Sequence, residues 1–308
     1  MTNADFEKIV ETSDEWITTR TGIKERRIAN GMATSDMAVA ASRAAIEMAN
    51  VSHDDIEMVI LATVTPDYRL PSAACVVQEK MNFPNAAAFD IVAACAGFIN
   101  GLSIVSSYIE TNKIKKALVV GVEKLSAFTN YKDRNTCVLF GDAAGAVVVS
   151  GEEGESGIIG TYIKSEGKYR TLLWAEVGGV VNPYTEGYDY DGRDKIMMNG
   201  SDVFKIAVKE MGNATVKVIQ DAGLQPSDIA LVVPHQANIR IIEALAKRLK
   251  IDMNKVYLNI DRFGNTSAAS VPLALDEANR AGRIKSGDYI VMVAFGGGLT
   301  WGASLVRW

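Results

Sequence analysis

Along the chain, apolar residues at helical spacing alternate with short β-rich apolar runs, a pattern that predicts an α/β fold with sheets covered by helices. A helix is predicted over 34–50, capped by Thr34 or Ser35, with Asp36 near its positive end. A strand over 56–65, a helix over 71–81, a strand over 87–92, a helix over 99–111 and strands over 117–122 and 144–150 follow. The run GEEGESG at 151–157 has nothing to bury and reads as a linker. It divides the chain into halves, 1–155 and 156–308. Beyond it come a strand over 157–163, a helix over 202–222, the run IALVV and a β-like run over 256–260.

The order of elements repeats. Asp55-Ile56 at the head of one strand and Asp228-Ile229 at the head of another lie 173 residues apart, and the same spacing carries Ala117 onto Ile290. Two pairs at one spacing indicate a duplicated half. The second half opens with a strand that the first half lacks, so the first half reads one strand short.

Composition narrows the class. At 308 residues, 48% apolar and 22% charged, the chain can bury large cores and is not a disordered segment. It has no apolar run long enough to span a membrane and no basic-then-apolar leader, so the cytoplasm is the expected compartment. Three cysteines without a C-x-x-C pair, and only two histidines, argue against a disulfide framework and a metal site. A net charge of −5 weakens any general attraction to nucleic acid or anionic membrane.

The candidate chemistry lies at strand ends. Cys95, in AFDIVAACAGF, is predicted at the junction of a strand and a helix, where the helix N-terminus would lower its pKa and favour a nucleophilic thiolate. On the residues alone a small buried hydrophobe is the other reading. Cys75 and Cys137 sit in apolar runs and are expected to pack, and His53 falls in a polar turn. His235 follows IALVVP, at the kind of strand end where open α/β sheets bind ligands. Asn265 in GNTSAAS follows the β-like run, as Cys95 does in its own half. Gly264-Asn265 also suits a plain turn. The run FGGGLTWG lacks the lysine of a phosphate loop and the dinucleotide spacing, but its glycines suit an oxyanion hole.

Together TSDEWITTRTGIKERRIA, AACAGF, FGDAAGAVV, VPHQANIR, GNTSAAS and FGGGLTWG resemble the thiolase superfamily, and most closely its β-ketoacyl-[acyl-carrier-protein] synthase III family, over essentially the whole chain. The resemblance implies a thiolase-like fold, two pseudo-duplicated halves in a five-layered αβαβα core. It implies a cytoplasmic homodimeric acyltransferase that needs no metal or tightly bound cofactor. An acyl group, acetyl in the first instance, passes from acyl-coenzyme A to Cys95. Decarboxylative condensation with malonyl-acyl carrier protein then yields a 3-oxoacyl product. His235 and Asn265 complete a triad, and the N–H groups of Cys95 and Gly297 form the oxyanion hole. Thr12, Trp16, Arg20, Arg134 and Asn238 match coenzyme A contacts, Trp16 and Arg134 as an adenine sandwich. Phe204 and Phe295 match the tunnel, and Lys205, Gln236, Arg240, Lys247 and Arg248 the carrier-protein surface. Leu70 matches a residue that reaches the partner subunit's acyl pocket and is often phenylalanine in acetyl-specific members. The family ordinarily has a strand ahead of Thr2, which in a doubly wound half would be internal. The same residues also admit a polyketide- or quinolone-type ketosynthase, a Cys-His-Asn hydrolase and an inactive interaction subunit.

Overall fold

The computed structural model describes residues 1–308. Two four-stranded sheets stack with a helical layer between them and another outside each. The elements in chain order are α1 (Asp14–Thr21), α2 (Thr34–Ala49), β1 (Met58–Ala62), α3 (Ala73–Met81), β2 (Ala87–Ile91), α4 (Gly97–Glu110), β3 (Lys116–Lys124), β4 (Asp142–Ser150) and β5 (Gly157–Ser165). They continue with α5 (Gly200–Asp221), β6 (Ile229–Pro234), α6 (Ile239–Leu249), α7 (Ser270–Arg280), β7 (Tyr289–Gly296) and β8 (Thr300–Arg307). The first sheet runs β2-β1-β3-β4 and the second β5-β8-β7-β6. In both, apolar strands pair in parallel, β1 with β3 and β6 with β7, and an antiparallel strand follows, β4 or β8. Helices α2 and α3 cover the first sheet, α5 and α6 the second, and α4 and α7 fill the middle.

The central strands are buried on both faces, which explains their nearly unbroken apolar sequences. Along β3, Leu118, Val120 and Val122 point to the outer helices while Ala117 and Val119 point to the middle layer. Along β7, Val291, Val293 and Phe295 face outward and Ile290, Met292 and Ala294 inward. The period of two is present, but both phases are apolar.

Three expectations are corrected. The outer edge of β4 has no partner strand, whereas β8, its counterpart, is paired on both sides. The position that the first half lacks is therefore at a sheet edge and not internal, so it opens no gap between paired strands. The stretch over 256–260 forms only an isolated bridge from Val256 to Val232 before the chain turns helical. The cap of α2 is Ala33, whose N–H donates to Asp36, because Thr34 uses its hydroxyl on the Thr65 carbonyl.

The layers meet at glycines. A Cβ on Gly121 of β3 would lie 2.2 Å from the Ala268 carbonyl oxygen, a backbone atom that cannot swing aside. Gly121→Ala should destabilise the fold by about 3 kcal/mol, at the upper end of overpacking costs. Gly160→Ala, with nothing within 4 Å, should leave the urea midpoint nearly unchanged. Equal midpoints for the two variants would contradict this packing.

Candidate active site

Cys95 sits in a short 3-10 turn, Ala94–Ala96, which links β2 to α4. The turn is entered through Ala94 in the left-handed region, φ +44°. The other half repeats this device at the spacing of 173: Ser267, φ +48°, enters the turn Ser267–Ala269, and α7 begins at Ser270 as α4 begins at Gly97. Asn265 lies just before this second turn. Its backbone is fastened to the first half, its N–H donating to Leu139 O at 2.8 Å and its carbonyl accepting from Gly141 N at 3.0 Å. His235 follows β6, fixed by an N–H donated to Val293 O at 2.7 Å.

One cavity of about 500 Å³ has Cys95, His235 and Asn265 on its walls. All three are buried, Cys95 at 8% exposure. Trp16, Arg20, Asn238, Arg240, Phe204 and Phe295 line the same cavity, so two helix ends and the tip of β7 shape it. Phe295 is braced by stacking on Trp301, with ring centroids 6.2 Å apart. Gly297 follows β7, and a Cβ on its neighbour Gly296 would lie 2.5 Å from the Cys95 nitrogen.

Electrostatics correct one expectation. Burial pushes the Cys95 thiol up to about 12, the Ser267 hydroxyl pulling against it and the Glu123 carboxylate adding to it. The helix-end placement is as expected, yet the resting group is a thiol and not a thiolate. Burial likewise holds His235 down, to about 3, so the imidazole is neutral. Its Nδ1 has no hydrogen-bond partner.

Other expected residues fall in varied places. Arg134 lies outside the cavity but stacks on Trp16, guanidinium to ring 4.9 Å. Inserting a base between them would therefore replace this cation–π contact. Arg20 lies 4.8 Å from the same ring. Thr12 is off the cavity wall, its buried hydroxyl without a partner. Lys205, Arg240, Lys247 and Arg248 are exposed, Lys205 paired with Asp202 and Arg248 bonded to Asn213. Gln236 is a correction: at 1% exposure its amide ties Pro234 and Tyr257 to Asn259 N, so it is not on the docking surface. Cys75 is another, exposed on α3, while Cys137 is buried as expected. Leu70 is exposed and outside the cavity of its own chain. Sequence reasoning missed Glu123, although an acid inside the apolar run ALVVGVE was a visible signal, and the apolar wall supplied by Leu139, Leu173, Met198 and Met211.

Two stacked mixed sheets with a cysteine at the strand-to-helix junction between them define a thiolase-fold acyltransferase of the condensing class. Family models described as 3-oxoacyl-[acyl-carrier-protein] synthase III and its C-terminal part match residues 89–167 and 219–308. A β-ketoacyl-[acyl-carrier-protein] synthase III of Caldanaerobacter subterraneus is 54% identical over 100% of this chain and 93% of its own length. Its namesake in Clostridioides difficile is 53% identical over 99% and 93%. The crystal structure of the Aquifex aeolicus 3-oxoacyl-[acyl-carrier-protein] synthase III superimposes with a TM-score of 0.93 at 50% identity, covering 100% of this chain and 95% of that one. The chain belongs to the β-ketoacyl-[acyl-carrier-protein] synthase III family, acyltransferases that start fatty acid synthesis by condensing acyl-coenzyme A with malonyl-acyl carrier protein. A Cys-His-Asn hydrolase, a polyketide- or quinolone-type ketosynthase and an inactive interaction subunit are not favoured. No helix is long and apolar enough to cross a membrane.

The neutral buried imidazole has a measurable consequence. Between pH 6.5 and about 3 the unfolded chain takes up a proton on His235 that the folded chain excludes, so stability falls as pH falls through that window. Between pH 7 and pH 5 this single group should remove about 2 kcal/mol of unfolding free energy. Urea titrations of His235→Gln should show a pH 7-to-5 loss smaller by that amount. An identical loss in both proteins would mean that the imidazole titrates freely in the fold.

Proposed function

We propose that Cys95 is the acyl-accepting nucleophile and that His235 and Asn265 serve the condensation. The observation that carries this reading is that one cavity is walled by all three groups, each of them buried. In the first step the Cys95 sulfur attacks the thioester carbonyl of acyl-coenzyme A. Because the resting group is a thiol, its proton must leave as the carbon–sulfur bond forms. The departing coenzyme A sulfur takes it up and leaves as the free thiol. The tetrahedral oxyanion is held by the N–H groups of Cys95 and Gly297.

In the second step malonyl-acyl carrier protein loses CO₂, and the enolate oxygen takes hydrogen bonds from the neutral His235 ring and the Asn265 amide. The enolate carbon attacks the acyl-Cys95 carbonyl, the carbon–sulfur bond breaks, the released Cys95 sulfur takes up a solvent proton to restore the thiol, and 3-oxoacyl-acyl carrier protein leaves. A carboxylate at either donor position would repel the developing charge, whereas burial keeps the His235 imidazole uncharged and the Asn265 carboxamide carries no charge.

Trp16, Arg20, Arg134, Asn238 and Thr12 are the proposed coenzyme A contacts, with the adenine entering between Trp16 and Arg134. Phe204 and Phe295 line the tunnel. Lys205, Arg240, Lys247 and Arg248 dock the acidic carrier protein, a cationic face on a protein of net charge −5 that suits steering of an acidic partner. Residues 1–155 and 156–308 form the two halves, and the enzyme acts in the cytoplasm as a homodimer. The free outer edge of β2 supports the dimer. Beside it Val92 is 79% and Leu70 88% exposed, and Arg69 ties this loop to Gly178, next to an exposed Val180-Val181 pair.

Intact mass after incubation with acyl-coenzyme A should rise by one acyl group, mapped to the Cys95 peptide and absent from Cys95→Ser. His235→Ala and Asn265→Ala should keep this acylation while condensation falls about 10²–10³-fold. Acylation mapped to another residue would refute the assignment. The exposed Leu70 gives a second outcome. Isobutyryl- and octanoyl-coenzyme A should turn over measurably beside acetyl-coenzyme A, since leucine fills less of a pocket than phenylalanine. Strict acetyl preference would remove Leu70 as the primer-selecting residue.

A further inference from the structure

Glu123 is wholly buried at the end of β3, and no cation pairs with it. Such a carboxylate is costly unless hydrogen bonds saturate it. Here they do: Val64 N–H donates to both oxygens at 3.1 and 3.2 Å, Thr65 Oγ1 at 2.6 Å, Thr63 Oγ1 at 3.2 Å and Ser267 Oγ at 3.2 Å. Three segments are thereby joined: the loop after β1, the end of β3, and the turn that follows Asn265. Burial nonetheless raises its carboxyl to about 7 against the pull of these donors.

Ser267 stands between this carboxylate and the proposed site. Its left-handed backbone is strained for a residue with a side chain, and its N–H donates to Asn265 Oδ1 at 3.0 Å. That bond engages the amide oxygen and leaves Nδ2, which makes no hydrogen bond within the chain, as the donor available to the cavity. The pseudo-symmetry sharpens the point. At the spacing of 173, Ala94 of the cysteine turn corresponds to Ser267, and Glu123 corresponds to Gly296. Beneath the cysteine turn the strand end is bare, and a Cβ there would strike Cys95 N. Beneath the asparagine turn the same position carries a carboxylate bonded upward to the turn.

We propose that Glu123 is a positioning residue for the condensation step: through Ser267 it holds the Asn265 carboxamide with its NH₂ group toward the enolate. The inference rests on the reading of Asn265 as an enolate donor. It assigns to Glu123 no contact with substrate.

Half-reactions separate this role from a merely structural one. In Glu123→Gln, and in the milder Ser267→Ala, Cys95 acylation by acetyl-coenzyme A should stay within about threefold of the parent, because burial outweighs both groups in setting the state of the thiol. The kcat for condensation should fall between about tenfold and a hundredfold, with little change in KM for malonyl-acyl carrier protein, as expected for a misplaced catalytic group. Adding either change to Asn265→Ala should cost no more than about twofold further, since the two then act as one unit. Equal losses in both half-reactions, or losses that add to that of Asn265→Ala, would overturn the proposal. So would full condensation in Glu123→Gln and Ser267→Ala while Asn265→Ala is slow. Undiminished condensation in Asn265→Ala would instead strike the underlying reading.

Discussion

The structure depends on the closeness with which backbone meets backbone between its two sheets. Gly121 admits the Ala268 carbonyl, Gly145 the Leu273 amide and Gly296 the Cys95 amide, each at a distance that leaves no space for a methyl group. These contacts clamp the cysteine turn against the end of β7 and the asparagine turn against β3. A reaction that needs its groups placed within a fraction of an ångström requires a frame that cannot breathe there, and glycine is how the chain obtains it.

The same closeness governs the electrostatics. The site lies at the N-terminus of α4, but a helix end supplies at most about 2 kcal/mol. Moving the thiol from 9.0 to about 12 corresponds to roughly 4 kcal/mol against the thiolate. Burial wins, and the resting cavity holds neutral groups: a thiol, an imidazole and a carboxamide. Donors that are neutral and already oriented are suited to negative charge that appears only during reaction, because they need no reorganisation when it forms.

Much of this was legible in the sequence. The α/β order, the linker at 151–157 and the spacing of 173 come from apolar runs and glycines, whose meaning is local. Cys95, His235 and Asn265 could be picked out because each ends a strand-like run. What escaped depends on neighbours distant in sequence. Gln236 sits in a motif with a cationic helix, but its burial is set by Pro234, Tyr257 and Asn259. Cys75 occupies an apolar run whose helix turns that position outward. Thr34 left the capping role because a carbonyl 31 residues away accepts its hydroxyl. The ionisation state of Cys95 followed burial, which no single helix end reveals.

The duplication also bears on the division of chemical labour proposed for the two halves. Each half contributes a left-handed residue, a one-turn 3-10 segment and the start of a central helix, and the two devices face one cavity. On the proposed assignment they do different work, because a nucleophile needs open space for an incoming carbonyl and a hydrogen-bond donor needs a fixed direction. The strand ends beneath them have diverged accordingly. Gly296 lets its strand end pack directly against the Cys95 amide, while Glu123 fills the equivalent place and ties down the turn after Asn265. Two copies of one backbone device thus serve opposite requirements, through a single side chain present in one half and absent from the other.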